Sequence, residues 1–110
     1  MSRIDSNLIP PRIMTGMQNY IQNGHPTGDF LRAVFSNDLF DAVGRADEHS
    51  LAALPSIVSF IYMEAPSHCH GSAKSVSIWL EFHKAQRDKA SPGVLRELRR
   101  ELIAAKENQR

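Results

Sequence analysis

The sequence predicts an all-α fold: a single compact domain of five to six short helices that ends in a charged amphipathic helix. Apolar residues recur at three- and four-residue spacing in successive segments, which is the pattern of helices with one buried face. Prolines and glycines fall between these segments and mark their ends. The chain has 110 residues, enough for one core and too few for two. We therefore expect a helical core over residues 1–90 and a C-terminal helix over residues 91–110.

A turn-rich loop separates the first two helices. Pro10 and Pro11 suit a first helical turn, and Gly24 supplies the stop. Thr27 or Asp29 is expected to cap the second helix through its side-chain oxygen. The apolar stripes of these helices are Ile13, Met14, Met17, Tyr20 and Ile21 in the first and Phe30, Leu31, Val34 and Phe35 in the second.

The next two helices also carry cap residues at their starts. Residues 36–38 offer caps for a third short helix, or for a bent continuation of the second. Asp47 is the expected N-cap of a fourth helix, and Pro55 removes a backbone donor from its middle, which predicts a kink or a restart. Residues 57–63 are apolar on nearly every side, so we expect a buried central helix, with a buried strand as the alternative. The third helix is expected to end near Gly44 and to bury Leu39, Phe40 and Val43.

Two further helices complete the predicted domain. Ser72 caps the fifth, and Ser91 with Pro92 begins the last. The predicted apolar stripes are Val76, Trp79, Leu80 and His83 in the fifth helix and Val94, Leu95, Leu98 and Leu102 in the last. Because mixed charges surround the narrow stripe of the last helix, we expect it to pack on the core or to mediate self-association.

Composition excludes several classes of protein. Thirteen Lys and Arg against twelve Asp and Glu give a formal net charge of +1, too balanced for the broad positive field of non-specific nucleic-acid binding. The single cysteine, Cys69, permits no intramolecular disulfide and suits a reducing cytoplasm. No signal-peptide pattern precedes Pro11, and no apolar stretch reaches the roughly 20 residues that span a bilayer, so we expect no membrane association.

The strongest candidate for a binding site is the loop before the second helix. His25, Thr27, Gly28 and Asp29 lead into a helix N-terminus, where free backbone N–H groups can hold an anion. Arg32, one turn into the helix, has a guanidinium that can bind a phosphate or carboxylate with two hydrogen bonds. The spacing matches neither a P-loop nor a dinucleotide fingerprint. A plain turn with a capped helix is the alternative.

Three further candidates are weaker. Asn37 and Asp38 follow the second helix and either serve in a cap or turn or face a cleft, where they would bind a ligand or partner through hydrogen bonds. Trp79 is either a core residue or a stacking platform. The run from His68 to His70 lacks the paired spacing of a zinc site, and a flanking histidine could serve Cys69 as a base only if the fold turned it back, so we expect no metal, no cofactor and no catalytic residue.

The segment from Ile9 to His83 resembles a small, uncharacterised family of helical proteins encoded by bacteriophages and prophages. The resemblance implies a viral accessory role in the cytoplasm of a host bacterium and supplies no catalytic residues. His70 departs from the bulkier aromatic residue expected before Gly71-Ser72, and the chain from Lys84 onward lies outside the resemblance. The residues that carry it are Ile9-Pro10, Asn19 to Ile21, Gly24, Pro26 to Val34, Ser36 to Leu39, Ala42 to Asp47, Leu54-Pro55, Glu64 to Pro66, Gly71-Ser72 and Trp79.

These observations predict a protein that acts by binding and is not an enzyme. We expect a host-defence evasion factor that sequesters a nucleotide second messenger or binds a host defence protein, and that forms a homo-oligomer. A small helix-turn-helix DNA-binding regulator is the alternative, because short helices joined by tight turns can form that motif. The near-neutral charge of the chain makes nucleic acid the less favoured partner.

Overall fold

A computed structural model describes residues 8–108, and it confirms the all-α prediction. The chain forms one domain with six α-helices within these residues, and a short 3-10 turn, Ser67–Cys69, joins the fourth helix to the fifth. The helices are α1 (Pro11–Asn23), α2 (Asp29–Phe35), α3 (Leu39–Arg45), α4 (Glu48–Glu64), α5 (Ala73–Arg87) and α6 (Pro92–Glu107).

Most of the predicted helix ends are confirmed. Gly24 follows α1 with φ of 65°, the left-handed conformation that favours glycine. Asp47, Ser72 and Ser91 cap α4, α5 and α6, each by accepting a hydrogen bond from the backbone N–H three residues ahead. The caps predicted for α2 are wrong. Gly28 is its N-cap and provides no side-chain bond.

The main core lies where α1, α2, α4 and α5 meet the 3-10 turn. Met17, Tyr20, Phe35 and Ile57 are at most 1% exposed, and burial of each contributes about 1.5–3 kcal/mol. Polar bonds join the same elements. The Tyr20 hydroxyl donates to the backbone oxygen of Cys69 at 2.6 Å, and the indole N–H of Trp79 donates to that of Tyr20 at 2.9 Å.

Helix α6 packs on α5 through a smaller second cluster. Its members are Ile78 and Phe82 of α5 and Leu98, Leu102 and Ala105 of α6. Trp79 contacts both clusters and so joins α6 to the rest of the domain. Self-association through α6 stays a prediction.

The predicted burial of α3 and α4 is wrong. Leu39 is 62% exposed and Phe40 is 92% exposed, because α3 is a seven-residue helix that turns Ala42 inward instead. In α4 only one face is covered, so Ile57 and Ile61 are buried while Tyr62 is 72% exposed. The predicted restart at Pro55 is also wrong, since α4 is continuous from Glu48 to Glu64. No helix within residues 8–108 combines the length and apolar character needed to cross a membrane.

Candidate functional site

The loop predicted to bind an anion is held by an ion pair. Asp29 begins α2, and its carboxylate accepts a hydrogen bond from Arg45 of α3 at 3.1 Å. The Thr27 hydroxyl donates to the backbone oxygen of Gly28 at 3.2 Å. The carboxylate of Asp29 therefore stands beside the helix N-terminus that an anion would occupy.

Residues of this loop line a charged cavity of about 440 Å³ between α1, α2 and α4. Thr27, Gly28 and Asp29 contribute to its wall, but His25 and Arg32 do not. A second ion pair, between Arg12 and Asp47 at 2.7 Å, also lines this cavity and leaves both residues largely exposed.

The two arginines of the charged cavity already have carboxylate partners. Hydrogen bonds from Ser50 and then from Arg12 lower the pKa of Asp47 to about 2, so this carboxylate stays ionised at neutral pH. Arg45 pairs with both Asp29 and Asp41. An anion entering this cavity would have to compete with these carboxylates. The anion site stays a prediction that this arrangement does not favour.

A second cavity, which we term the apolar groove, lies between α3, α4 and the loop after the 3-10 turn. Its volume is about 380 Å³. Asn37 and Asp38 line it, so the structure places both at a cleft, one of the two interpretations of the sequence. The other lining residues are Val34, Leu39, Ala42, Leu54, Val58, Ile61, Tyr62, His70 and Gly71.

Local backbone geometry explains the residues at one end of the groove. Asn37 has φ of 62°, a left-handed conformation that asparagine adopts more readily than most residues, and it turns the chain sharply after α2. The Asp38 side chain accepts a bond from the backbone N–H of Asp41 at 3.1 Å and thereby begins α3. The backbone N–H of Gly71 donates to the Phe35 oxygen at 2.8 Å, which fixes the loop wall against α2.

The groove has chemically different parts. Leu54, Val58 and Tyr62 follow one another at four-residue spacing along α4 and form an apolar and aromatic wall. His70 lies at the loop, where burial first and the nearby Lys106 ammonium second lower its pKa. Apolar walls with a few polar groups are typical of small-molecule sites.

The groove opens onto an exposed apolar surface that sequence reasoning missed. We term it the α3–α4 face; its residues are Leu39, Phe40, Val43, Leu51, Val58 and Tyr62, each at least 43% exposed. The sequence did contain a signal for this surface, because the apolar run of α4 continues around the helix. A domain of this size covers such a helix on one side only.

The remaining candidates lie in the core. Cys69 is fully buried, and burial raises the pKa of its thiol to about 12, which opposes a nucleophilic role. Trp79 is partly buried beside Tyr20, its ring lies tilted by 60° against that of His83 with centroids 4.6 Å apart, and it lines neither cavity. Within residues 8–108, His, Cys, Asp and Glu side chains form no cluster of three suited to a metal ion.

Comparison with protein-family models, with curated proteins and with solved structures finds no match to this chain. The resemblance to phage-encoded proteins stays a prediction, and functional inference rests on the two cavities and the α3–α4 face.

Proposed function

We propose that this chain is a phage accessory protein that evades host defence by sequestering a nucleotide signal in the apolar groove. The observation that carries the proposal is the groove itself, which combines an aromatic and apolar wall with the polar side chains of Asn37, Asp38 and His70. Its volume of about 380 Å³ falls in the range of roughly 300–1,000 Å³ found for small-ligand sites. The phage origin and the defence role rest on the resemblance alone.

The chemistry of a nucleotide matches the parts of the groove. A nucleobase has apolar faces that pack against Val58 and Tyr62, and its edge carries donors and acceptors that an amide and a carboxylate can bind. The phosphate of a nucleotide favours the loop side of the groove, where His70 lies near the Lys106 ammonium. The protein needs no catalytic group for this role, because sequestration requires only affinity.

The test is binding of cyclic nucleotides and ADP-ribose-type nucleotides, one at a time, measured by native mass spectrometry and calorimetry. The informative variant is Asn37→Gly, which removes the amide while keeping the left-handed backbone. Lys89→Gly is the matched control, because Lys89 also has a positive φ, of 56°, and follows α5 away from the groove. We expect at least one nucleotide to bind the wild type and Lys89→Gly with equal affinity. The same nucleotide should bind Asn37→Gly at least about 10-fold more weakly, the loss expected for a buried hydrogen bond.

Absence of binding across the whole panel would overturn the proposal. So would a nucleotide that binds Asn37→Gly as tightly as the wild type, since its site would then lie elsewhere. A second readout tests the defence role: expression of the chain in bacteria that carry a nucleotide-signalling defence system should restore phage plaques, and Asn37→Gly should lose that effect.

A host defence protein is the second candidate partner, and the exposed α3–α4 face favours it. DNA binding through α2 and α3 receives less support. Helix α3, which would occupy the recognition position, exposes Leu39, Phe40 and Val43, and its one basic residue, Arg45, pairs with Asp29 and Asp41. A gel-shift assay at low salt that detects specific DNA binding would revive this alternative.

A further inference from the structure

We infer that the α3–α4 face docks a basic amphipathic helix of a partner protein. The inference goes beyond nucleotide sequestration and does not depend on it. It rests on three properties of the face: its exposed apolar area, its shape as a groove between two helices, and the acidic charge around it.

The exposed area is large enough for a specific interface. Seven of the ten large hydrophobic residues that are exposed within residues 8–108 belong to α3 and α4. Since a large apolar side chain presents on the order of 150–250 Å² when fully exposed, the six residues of the face together expose about 700 Å². A standard protein interface buries about 800 Å² on each partner. Apolar patches larger than a few hundred Å² typically mark interaction sites.

The shape of the face fits a helix. Leu51, Val58 and Tyr62 form a stripe along α4, with one position every one to two turns, and Leu39 and Val43 form a shorter stripe, one turn apart, on α3. The apolar groove lies between α3 and α4, where Leu39, Val58 and Tyr62 line it. A third helix laid along this groove would place side chains at i, i+3, i+4 and i+7 between the stripes, as in helix-in-groove recognition.

The charged residues near the α3–α4 face indicate which kind of helix it binds. Residues 36–66 contain five carboxylates; Asp41 pairs with Arg45 and Asp47 with Arg12, and the other three are Asp38, Glu48 and Glu64. Glu48 begins α4 and Glu64 ends it, and both are exposed, so a carboxylate stands at each end of this helix. Asp38 lines the groove. A partner helix whose apolar stripe is flanked by Lys or Arg matches both the apolar surface and the acidic surroundings.

The experiment uses a synthetic leucine–lysine amphipathic helix of about 18 residues, five helical turns, with its leucine–glutamate counterpart as the charge control. Binding of labelled peptide to the full chain is followed by fluorescence anisotropy. We expect the lysine peptide to bind at least about 10-fold more tightly than the glutamate peptide, because like charges at a rim oppose association. The difference should shrink as salt is raised.

Variants identify the surface. The double variant Phe40→Ser/Tyr62→Ser should weaken binding of the lysine peptide at least about 30-fold, the loss typical of aromatic anchors at an interface centre. Val58→Ser should weaken it several-fold, whereas Ile103→Ser on α6 should leave it unchanged, although both residues are 47% exposed. Glu48→Gln with Glu64→Gln should reduce the preference for lysine over glutamate. Circular dichroism checks that each variant folds.

Three outcomes overturn the inference. Equal binding of both peptides, or full affinity in the Phe40→Ser/Tyr62→Ser variant, would show that the face does not select a basic helix. A dimer in sedimentation experiments that Phe40→Ser dissociates would assign the face to a second copy. The nucleotide proposal is tested separately, by nucleotide binding to Asn37→Gly, so failure of one proposal can be distinguished from failure of the other.

Discussion

Replacement of Gly24 by alanine should destabilise the protein more than the same change at Gly16, Gly28, Gly44 or Gly93. Gly24 has φ of 65°, and a Cβ at this position would overlap the His83 side chain of α5. The left-handed conformation costs an alanine about 1 kcal/mol relative to glycine. Overlap in a packed region costs about 1–3 kcal/mol more. We therefore expect the free energy of unfolding to fall by about 2–4 kcal/mol, a large share of the roughly 5–15 kcal/mol available to such a domain.

The assay is urea denaturation followed by circular dichroism, with Gly44→Ala as the matched control. Gly44 lies within α3, and a Cβ there meets nothing within 4 Å, so this change should stabilise the helix by about 0.5–1 kcal/mol. Gly24→Asn separates the two causes. Asparagine tolerates the left-handed conformation but still carries a Cβ, so Gly24→Asn should remain destabilised by the overlap alone. A Gly24→Ala variant within about 0.5 kcal/mol of the wild type, an ordinary surface effect, would refute the close approach of α1 to α5.

Three further outcomes are expected. Tyr20→Phe should lower the free energy of unfolding by about 1–2 kcal/mol, because it removes the donor to the buried oxygen of Cys69; an unchanged urea midpoint would contradict this role. The Cys69 thiol should react with a thiol reagent at neutral pH only after unfolding, since it is buried and burial raises its pKa to about 12, and rapid reaction of the native protein would be inconsistent with its position. Burial lowers the pKa of His83 in the folded state, so the unfolded chain binds more protons and stability should fall as the pH drops below the ordinary value of 6.5. Urea titrations between about pH 7 and 5, where an unshifted histidine titrates, should show a smaller loss for His83→Gln, and an identical slope would rule out this contribution.

The sequence by itself determined the helical class and most helix boundaries. Asp47, Ser72, Ser91 and Gly24 act through bonds or backbone conformations that involve only their own neighbours, so local chemistry suffices to predict them. A position at a cleft was one of two interpretations for Asn37 and Asp38, because they directly follow the apolar stripe of the second helix.

Only the tertiary structure decided which apolar side chains are covered. Phe40 and Tyr62 belong to hydrophobic runs like those of the core, yet they are exposed because the helices within residues 8–108 leave the outer side of α3 and α4 uncovered. The sequence could not predict the ion-pair partner of Asp29 either, because Arg45 lies on another helix, 16 residues along the chain. Burial and ion pairing depend on distances between helices. Those distances follow from the packing of all the helices together, which the periodicity of a single segment does not contain.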